Sequence, residues 1–445
     1  MDSVLWSRIL TAETLAFHIV WATIGVGVPI FICLAEGWGI WRKDPHFILL
    51  ARRWTRGFVI TVAIGVVTGT CIGLMLSLLW PKFMQLAGNV ISLPLFMETF
   101  AFFFEAIFLG TYLYTWDRFQ KPVYHWLTSI PIIIGSSMSA VFITTVNSFM
   151  NTPAGFKLSA SGRVSHIDLI AAMLNPSTPS EVGHVLSSAY ATCGFLLAAI
   201  AAWHLLKGKT HVYYKKALHL TMAISFILSL LTFVAGDLSG KFLATWQPAK
   251  LAAGEWHFDT RTNAPLVIGG ILDEKNLEVK YGLEIPSALS FLATGSIDGK
   301  VTGLKEIPRS EWPPLFIHYL FDAMVGIGFY LIFISAAYLA YWLSKKEIIQ
   351  SRWLLRGIVL AAPLAFLAIE FGWIYAEVGR QPWIITGLMR VDQAATTADN
   401  VGMVTLMFSL LYLLLAIVAI SVLSRLFRGR PAETELHAVE GRSRT

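Results

Sequence analysis

Eight ionisable side chains and one thioether stand out in or beside long apolar stretches of this sequence, where a charge is costly to bury. They are Glu13, His18, Glu98, Glu105, His184, Asp322, Glu370 and Glu377, with Met324 as the thioether. An ionisable group at membrane depth is a functional candidate by default. Imidazole and thioether groups are common axial ligands of haem iron, so His18, His184 and Met324 indicate redox chemistry. The Glu377 carboxylate is a less usual ligand that suits an iron with an open site.

Two pairs of glutamates repeat at a spacing of seven residues, which is two helical turns. Glu98 and Glu105 therefore share one helix face, about 10 Å apart along the axis. Glu370 and Glu377 repeat this spacing with Trp373 between them on the same face. Chains of buried carboxylates serve proton relays in membrane proteins, so both pairs are candidates for proton transfer.

Each of these residues also has an ordinary explanation when it is taken alone. A histidine near a membrane surface can be an interfacial hydrogen-bonding residue, a methionine can simply pack, and buried glutamates do not specify which ion they handle. The side chains by themselves predict a redox or proton-handling membrane protein. One alternative is an ion-coupled transporter without haem. Another is a quinone-linked dehydrogenase anchor with two haems, in which His18 and Glu377 hold no metal.

The composition predicts an all-α, polytopic membrane protein. Of 445 residues, 56% are apolar and only 14% are charged, and the mean hydropathy is +0.63. Apolar windows of about 20 residues, long enough to cross a bilayer as helices, recur along the chain. We predict nine spans, at 15–39, 57–80, 94–115, 126–146, 184–206, 217–235, 315–343, 357–377 and 400–424. The first span has no secretion-signal pattern and should be retained.

The basic residues predict the orientation of these spans. The net charge of +6 lies in short tracts between apolar segments, which argues against nucleic-acid binding and fits the positive-inside rule. The tracts on one side contain Arg42, Lys43, Arg52, Arg53, Arg56, Arg118, Lys121, Lys207, Lys209, Lys215, Lys216, Lys345, Lys346, Arg352, Arg356, Arg425, Arg428, Arg430, Arg442 and Arg444. We expect that side to face the cytoplasm, with the N-terminus outside and the C-terminus inside.

The sequence divides into four parts. Residues 1–235 hold spans 1–6, 236–312 form a long polar outer segment, 313–424 hold spans 7–9, and 425–445 form a basic cytoplasmic tail. A loop as long as 236–312 is usually functional or mobile. Three cysteines, all in apolar stretches, lack CxxC or CxxCH spacing, which argues against disulfides, zinc ribbons and covalent haem attachment.

Several ordered motifs resemble the subunit I family of cytochrome bd-type quinol oxidases, along nearly the whole chain. They are SRIL near Arg8, GVVTGT at 65–70, PLFMETFAFFFE at 94–105, WDR at 116–118, GSSMSA at 135–140, GDLSG at 236–240, KLAAGEW at 250–256 and GRQPW at 379–383. The outer segment lacks a long insertion and is similar to the short Q-loop type of this family.

This resemblance implies three haems. His184 and Met324 match the axial pair of a low-spin haem b, and His18 and Glu377 match the ligands of a two-haem oxygen-reducing site. That site should hold a high-spin haem b and a haem d, or a haem b in place of haem d. Which of His18 and Glu377 binds which haem is left open. The family often has a basic residue two positions before the methionine, where this chain has Asp322.

The resemblance also implies roles for the remaining site residues. Glu98 and Glu105 match carboxylates for proton delivery and charge compensation. Trp373 and Arg380 flank Glu377 and should tune it. Lys250 and Glu255 match the quinol-interacting pair of the Q-loop. Without the resemblance, an exposed ion pair would be the simplest interpretation of those last two residues.

The implied activity is that of an electrogenic quinol:O2 oxidoreductase in the bacterial cytoplasmic (inner) membrane. Quinol would be oxidised at the outer face and O2 reduced to water with protons taken from the cytoplasm, which generates a proton motive force without pumping. The implied partners are subunit II, small single-span accessory subunits, membrane lipid, O2 and a quinol that is either ubiquinol or menaquinol.

Overall fold

The computed structural model describes residues 3–159, 164–344, 348, 351–428, 432 and 434–436. Five basic residues used to predict the orientation, Lys345, Lys346, Arg430, Arg442 and Arg444, lie outside the described residues, as does the side chain of Arg428. The predicted tail at 425–445 is therefore described only in part.

The described residues are mostly helical. The helices are, in chain order, α1 (Ser3–Arg42), α2 (Pro45–Leu79), α3 (Pro81–Ala87), α4 (Ser92–Tyr114), α5 (Pro122–Leu127), α6 (Ser129–Asn151), α7 (Leu169–Met173), α8 (Thr178–Leu206), α9 (Val212–Trp246), α10 (Pro248–Gly254), α11 (Ala288–Thr294), α12 (Ile317–Leu343), α13 (Arg352–Val378), α14 (Val391–Ala394) and α15 (Val401–Arg428). Within the described part of the chain, nine helical segments are long and apolar enough to cross a membrane, with α5 and α6 forming one of them. This confirms the all-α class and the nine predicted spans.

Several helices are longer than the spans predicted from hydropathy. α1 has 40 residues and α9 has 35, whereas about 20 residues cross a hydrocarbon core. α9 continues to Trp246, so the first eleven residues of the predicted outer segment 236–312 are helical. Hydropathy detects only the apolar part of a helix. The more polar end of α9 was therefore not predicted as helix, and it packs against the short helices α10 and α11.

We name the two sides of the bundle by the ends of its helices. The N-side is where α1 begins, and it also holds the ends of α2, α6, α9 and α13. The C-side is where α1 and α15 end. Close packing joins α1 to α2, α4 to α6, and α8 to α9 and α13. The largest cluster of buried apolar side chains, with Phe31, Phe58, Phe195 and Leu218 at its centre, holds these helices together.

The strands are short and lie in the segments between the long helices. They are β1 (Lys157–Leu158), β2 (Val164–Ser165), β3 (Leu266–Ile268), β4 (Ile271–Asp273), β5 (Glu278–Lys280), β6 (Leu283–Ile285), β7 (Trp383–Ile385) and β8 (Met389–Arg390). β3 pairs with β6 and β4 with β5, all antiparallel, which makes one long ribbon on the N-side. Gly269 and Gly270 join its two halves with φ of 63° and 97°, a backbone region that favours glycine.

A buried polar cluster fastens the C-side ends of α1, α4 and α5. Glu36 and His125 are each 2% exposed, and Tyr112 is fully buried. The Glu36 carboxylate accepts from Tyr112 Oη at 2.7 Å and contacts His125 Nδ1 at 2.6 Å. His125 Nε2 faces the Tyr112 carbonyl oxygen at 2.9 Å, and the rings of Tyr112 and Trp116 both pack against the imidazole and against each other. The Glu36 carboxylate thus connects the three helices α1, α4 and α5 through buried hydrogen bonds.

A second polar contact on the C-side is made by a residue that follows α15 in the chain. Glu435 accepts from Arg53 at 2.7 Å and also from Arg56, both on α2. Ala432 and Leu436 are buried in the main apolar cluster beside it. The described residues after α15 therefore lie against the bundle.

Replacing Glu36 with leucine should destabilise the protein by about 3–5 kcal/mol, because it leaves the imidazole and the phenol buried without their acceptor. Thermal unfolding of the detergent-solubilised protein measures this loss. The control is Glu274→Leu, which removes an exposed carboxylate of the N-side ribbon and should change stability by no more than about 0.5 kcal/mol. Equal unfolding midpoints for the two variants would contradict the role given to Glu36.

Candidate functional site

His184 and Met324 come from opposite corners of a ring of four helices. α8 packs on α9, α9 on α12, α12 on α13, and α13 on α8. His184 is six residues from the start of α8 and Met324 seven from the start of α12, so both lie about 10 Å below the N-side ends of their helices. Bundle cores of this kind hold cofactors between side chains on facing helices.

The surroundings of His184 and Met324 suit side chains that bind a metal cofactor. His184 Nδ1 is buried without a hydrogen bond to any described residue, while the Thr232 carbonyl lies beside the ring. Glycines of the neighbouring helices face the two groups. A Cβ added to Gly236 would lie 3.5 Å from the His184 ring, and one added to Gly372 would lie 2.9 Å from Met324 Sδ. The glycines leave room for both groups, so an imidazole and a thioether on facing helices fit a haem with two axial ligands.

His18 is held by α2 in one tautomer. Its Nδ1 lies 2.8 Å from Thr68 Oγ1, and the Thr68 hydroxyl donates to the Ile64 carbonyl at 2.9 Å. Since that hydroxyl proton is already used, Thr68 accepts from His18 Nδ1–H. The neutral ring then presents the lone pair of Nε2, as a metal-ligating histidine does when its other nitrogen is hydrogen-bonded. The sequence contained Thr68 within the GVVTGT motif but gave it no role.

Glu377 stands at the N-side end of α13 with both oxygens engaged. Oε2 accepts from Arg380 Nη2 at 2.6 Å, and Oε1 accepts from Asn147 Nδ2. Arg380 is buried, and its Nε and Nη1 have no acceptor among the residues the structure describes. A buried guanidinium with free donors fits an anionic group such as a haem propionate. Trp373 lies one turn before Glu377 and is half-buried.

Glu98 and Glu105 both face α6, as their spacing predicts. Glu98 Oε1 accepts from Ser139 at 3.1 Å. Glu105 is buried against Gly135, one turn earlier on α6, and its Oε1 has no partner in the described structure. The two carboxylates therefore lie along one interface between α4 and α6.

Lys250 is buried and linked to Glu377 through two asparagines. Lys250 Nζ donates to Asn151 Oδ1 at 2.9 Å, and Asn151 Nδ2 lies 3.0 Å from Asn147 Oδ1. Asn147 in turn donates to Glu377. Lys250 is only 5% exposed, so it is not half of an exposed ion pair.

Glu181 is the nearby countercharge for Lys250. Its Oε1 accepts from Asn151 at 3.2 Å and its Oε2 from Ser148 at 2.7 Å. Burial lowers the pKa of Lys250 to about 8, although the Glu181 carboxylate favours the charged ammonium. Neither Glu181 nor the two asparagines were among the residues predicted from the sequence.

Glu255 lines a cavity of about 170 Å³ on the N-side, and Lys250 is not among the residues that line it. It is 3% exposed, and its Oε2 has no hydrogen-bond partner among the described residues. Burial raises the pKa of Glu255 to about 8, and the Asp322 carboxylate adds to this effect. Lys250 and Glu255 therefore lie at opposite ends of α10 in two different environments.

Asp322, which departs from the family pattern, anchors the ribbon to α12. Its Oδ2 accepts from the Gly269 backbone N–H at 2.5 Å and lies 3.3 Å from His318 Nε2. His318 is buried and stacks on Trp256 with ring centroids 3.9 Å apart. A carboxylate two residues before Met324 is thus satisfied by the backbone of the outer segment.

Comparison with known proteins decides the family. The family model for cytochrome bd terminal oxidase subunit I matches residues 6–431. The chain belongs to this family. It is accordingly a multi-pass membrane subunit of a haem-containing respiratory terminal oxidase, and this membership favours the oxidase over the transporter and the dehydrogenase anchor.

Individual relatives cover nearly the whole chain. A protein of Bacillus subtilis (strain 168), provisionally named cytochrome bd menaquinol oxidase subunit I, is 41% identical over 99% of this chain and 100% of its own. Cytochrome bd ubiquinol oxidase subunit 1 of the same strain is 32% identical over 92% and 89%. A chain in the structure of bd oxidase from Geobacillus thermodenitrificans is 59% identical, with a TM-score of 0.92, over 97% of this chain and 99% of that one.

Replacing Glu255 with glutamine should stabilise the protein more at high pH than at low pH. Because the folded-state pKa of Glu255 is raised from about 4.5 to about 8, the folded protein holds a proton that the unfolded chain releases. Wild-type stability therefore falls as pH rises from about 5 to about 8, by an amount of a few kcal/mol.

Thermal unfolding at pH 5.5 and pH 8.5 measures this difference. Glu255→Gln should gain several degrees over wild type at pH 8.5 and little at pH 5.5. Glu284→Gln, an exposed carboxylate on the same cavity, is the control and should shift neither midpoint. A Glu255→Gln effect that is the same at both pH values would disprove the burial argument.

Proposed function

We propose that this chain oxidises quinol on its N-side and reduces O2 to water at a site of two haems. The observation that carries the proposal is the placement of His184 and Met324 across the α8, α9, α12 and α13 ring. The N-side also holds the buried network from Lys250 to Glu377. A quinol region and the candidate haem ligands thus share one side of the bundle.

His184 and Met324 are the proposed holders of a low-spin haem b, which supplies one-electron transfer when bound. The protein contributes the geometry: α8 and α12 present the two ligands at similar depth, and Gly236 and Gly372 leave room beside them.

His18 and Glu377 are the proposed ligands of the high-spin haem b and haem d, in an order that spectroscopy must assign, with haem b in place of haem d as the alternative. Thr68 keeps Nε2 of His18 free to bind a metal. Arg380 and Asn147 fix the orientation of the Glu377 carboxylate, and Trp373, one turn earlier on α13, is the proposed group that tunes it.

Glu98 and Glu105 are proposed to deliver protons along the interface of α4 and α6. We assign the N-side to the outside, following the positive-inside prediction, so protons consumed on O2 reduction come from the cytoplasm. Proton release from quinol outside and proton uptake from inside then generate a proton motive force without pumping.

Lys250 and Glu255 are proposed to act on the quinol. A relative named for menaquinol and one named for ubiquinol both resemble this chain, so either quinol is a substrate candidate. The exposed apolar faces of α4 and α15 are available to subunit II, to single-span accessory subunits and to lipid. We assign the complex to the bacterial cytoplasmic membrane.

The reduced-minus-oxidised optical spectrum of the purified complex, combined with haem extraction, tests this proposal. We expect b-type bands and a chlorin band. His184→Ala should lose the low-spin b signal, while His18→Ala and Glu377→Ala should each lose an oxygen-site signal. Quinol oxidation with only b-type haem would indicate a haem b in place of haem d. A preparation without haem would overturn the proposal.

Replacing Thr68 with valine should weaken retention of the haem at His18 by about 10- to 100-fold, the usual cost of losing a hydrogen-bond partner of a metal-bound histidine. Haem content after purification and the spectrum measure this loss. Thr70→Val is the matched control, because the exposed Thr70 hydroxyl donates to the Val66 carbonyl and has no other hydrogen bond within the described structure. Equal haem content in the two variants would contradict the role of Thr68.

A further inference from the structure

The cavity that contains Glu255 also contains a histidine that has no assigned role. The chain after α10 turns through Trp256 and runs under the N-side ribbon, so that His257 lines the same cavity as Glu255. His257 is 5% exposed and lies outside the nine candidate spans. The cavity therefore brings together a buried carboxyl group and a buried imidazole.

The hydrogen bond of His257 fixes its tautomer. Its Nε2 lies 3.2 Å from the Val301 carbonyl oxygen, which can only accept. Nε2 therefore carries a hydrogen, and Nδ1 of the neutral ring carries the lone pair. A lone pair on a ring that lines a cavity is a base for a ligand bound there.

Besides Glu255, the charged residues that line the cavity in the described structure are Asp259, Arg261 and Glu284, and Lys305 pairs with Asp259 at 2.8 Å. Asp259 and Arg261 follow His257 in the chain and line the cavity, with opposite effects on the ring. Glu284 lines the cavity from strand β6, and Asp322 of α12 acts on Glu255. These groups leave the buried imidazole as the base within the cavity and Glu255 as the proton-bearing group.

We propose that Nδ1 of His257 accepts one of the two hydroxyl protons of the quinol, with Glu255 as its neighbour at the second hydroxyl. This deepens the proposed function and rests on quinol oxidation at the N-side. It adds a specific proton acceptor to quinol oxidation, a reaction for which only Lys250 and Glu255 were predicted.

The proposed step balances as quinol losing two electrons and two protons to become quinone. One O–H bond breaks as a proton passes to Nδ1 of His257, and the other proton passes to water, or to Glu255 where that carboxyl group is ionised. The oxidant that takes up the two electrons, one at a time, would be a b-type haem of the oxidase. The imidazolium then returns its proton to the N-side through the cavity.

The protonation states of the two groups explain why Glu255 alone cannot accept a quinol proton at pH 7 and why the imidazole of His257 is required. Burial lowers the pKa of His257, so the ring is a neutral base at pH 7. Burial raises the pKa of Glu255 to about 8, so at pH 7 it already holds a proton. Glu255 becomes an acceptor only as the pH approaches and exceeds about 8.

His257→Gln tests the proposal, since glutamine can still donate to the Val301 carbonyl but has no basic nitrogen. In the purified oxidase complex we expect kcat/KM for quinol at pH 7 to fall about 100-fold, which is the usual contribution of a general base. The loss should shrink above pH 8 as Glu255 ionises. Affinity for a quinol-like hydroxyquinoline N-oxide, measured by calorimetry, should stay within about threefold.

The control is His166→Gln, which removes an exposed histidine of another N-side segment and should match wild type. A His257→Gln enzyme with wild-type kcat/KM and pH profile overturns the role of His257 alone. A loss of inhibitor affinity equal to the loss of kcat/KM also overturns it, because His257 would then serve binding. If the wild-type complex does not oxidise quinol, the proposed function itself fails.

Discussion

The hydrogen bonds of Asn147 and Asn151 hold the N-side together. These two amides lie one turn apart on α6, and they connect the Lys250 ammonium to the Glu377 carboxylate, with Glu181 attached at the side. An amide donates and accepts at once without carrying charge. It can therefore join buried charges without adding another ion to a medium where each ion is costly to desolvate. The placement of α10 against α6 and α13 depends on this chain of contacts.

Hydropathy and the cost of buried charge predict much of this molecule. Nine spans follow from composition, and the paired glutamates of α4 face one neighbour as their spacing requires. The asparagines and Thr68 gave no comparable signal, because neutral polar side chains are common in helices and acquire a role only from a tertiary partner. Glu181 lies just outside the predicted fifth span, so the uncertain span boundary excluded it. Glu36 also lies inside the first predicted span, so the cost of burying its charge made it as strong a candidate as the other glutamates, but it was not among the residues predicted.

The outer segment was harder to predict from the sequence than the helices. Its ribbon depends on two glycines with positive φ and on pairings between strands of three residues each, and such short strands give little periodic pattern. Its packing nevertheless explains the local chemistry. Asp322 accepts a hydrogen bond from a backbone N–H of the ribbon, which accounts for a carboxylate two residues before Met324, where the resemblance predicts a basic residue. The same ribbon covers Glu255 and His257, removes them from water and so moves their pKa values in opposite directions.

The contact of Glu435 with α2 has a consequence for biogenesis. The two arginines that hold this carboxylate are made early, with the second helix, whereas Glu435 follows the ninth span in the chain. During synthesis from the N-terminus, this ion pair cannot form until the last helix has been inserted. Its formation thus requires that α15 is already in place. The docked segment therefore distinguishes a bundle that contains α15 from one that still lacks it.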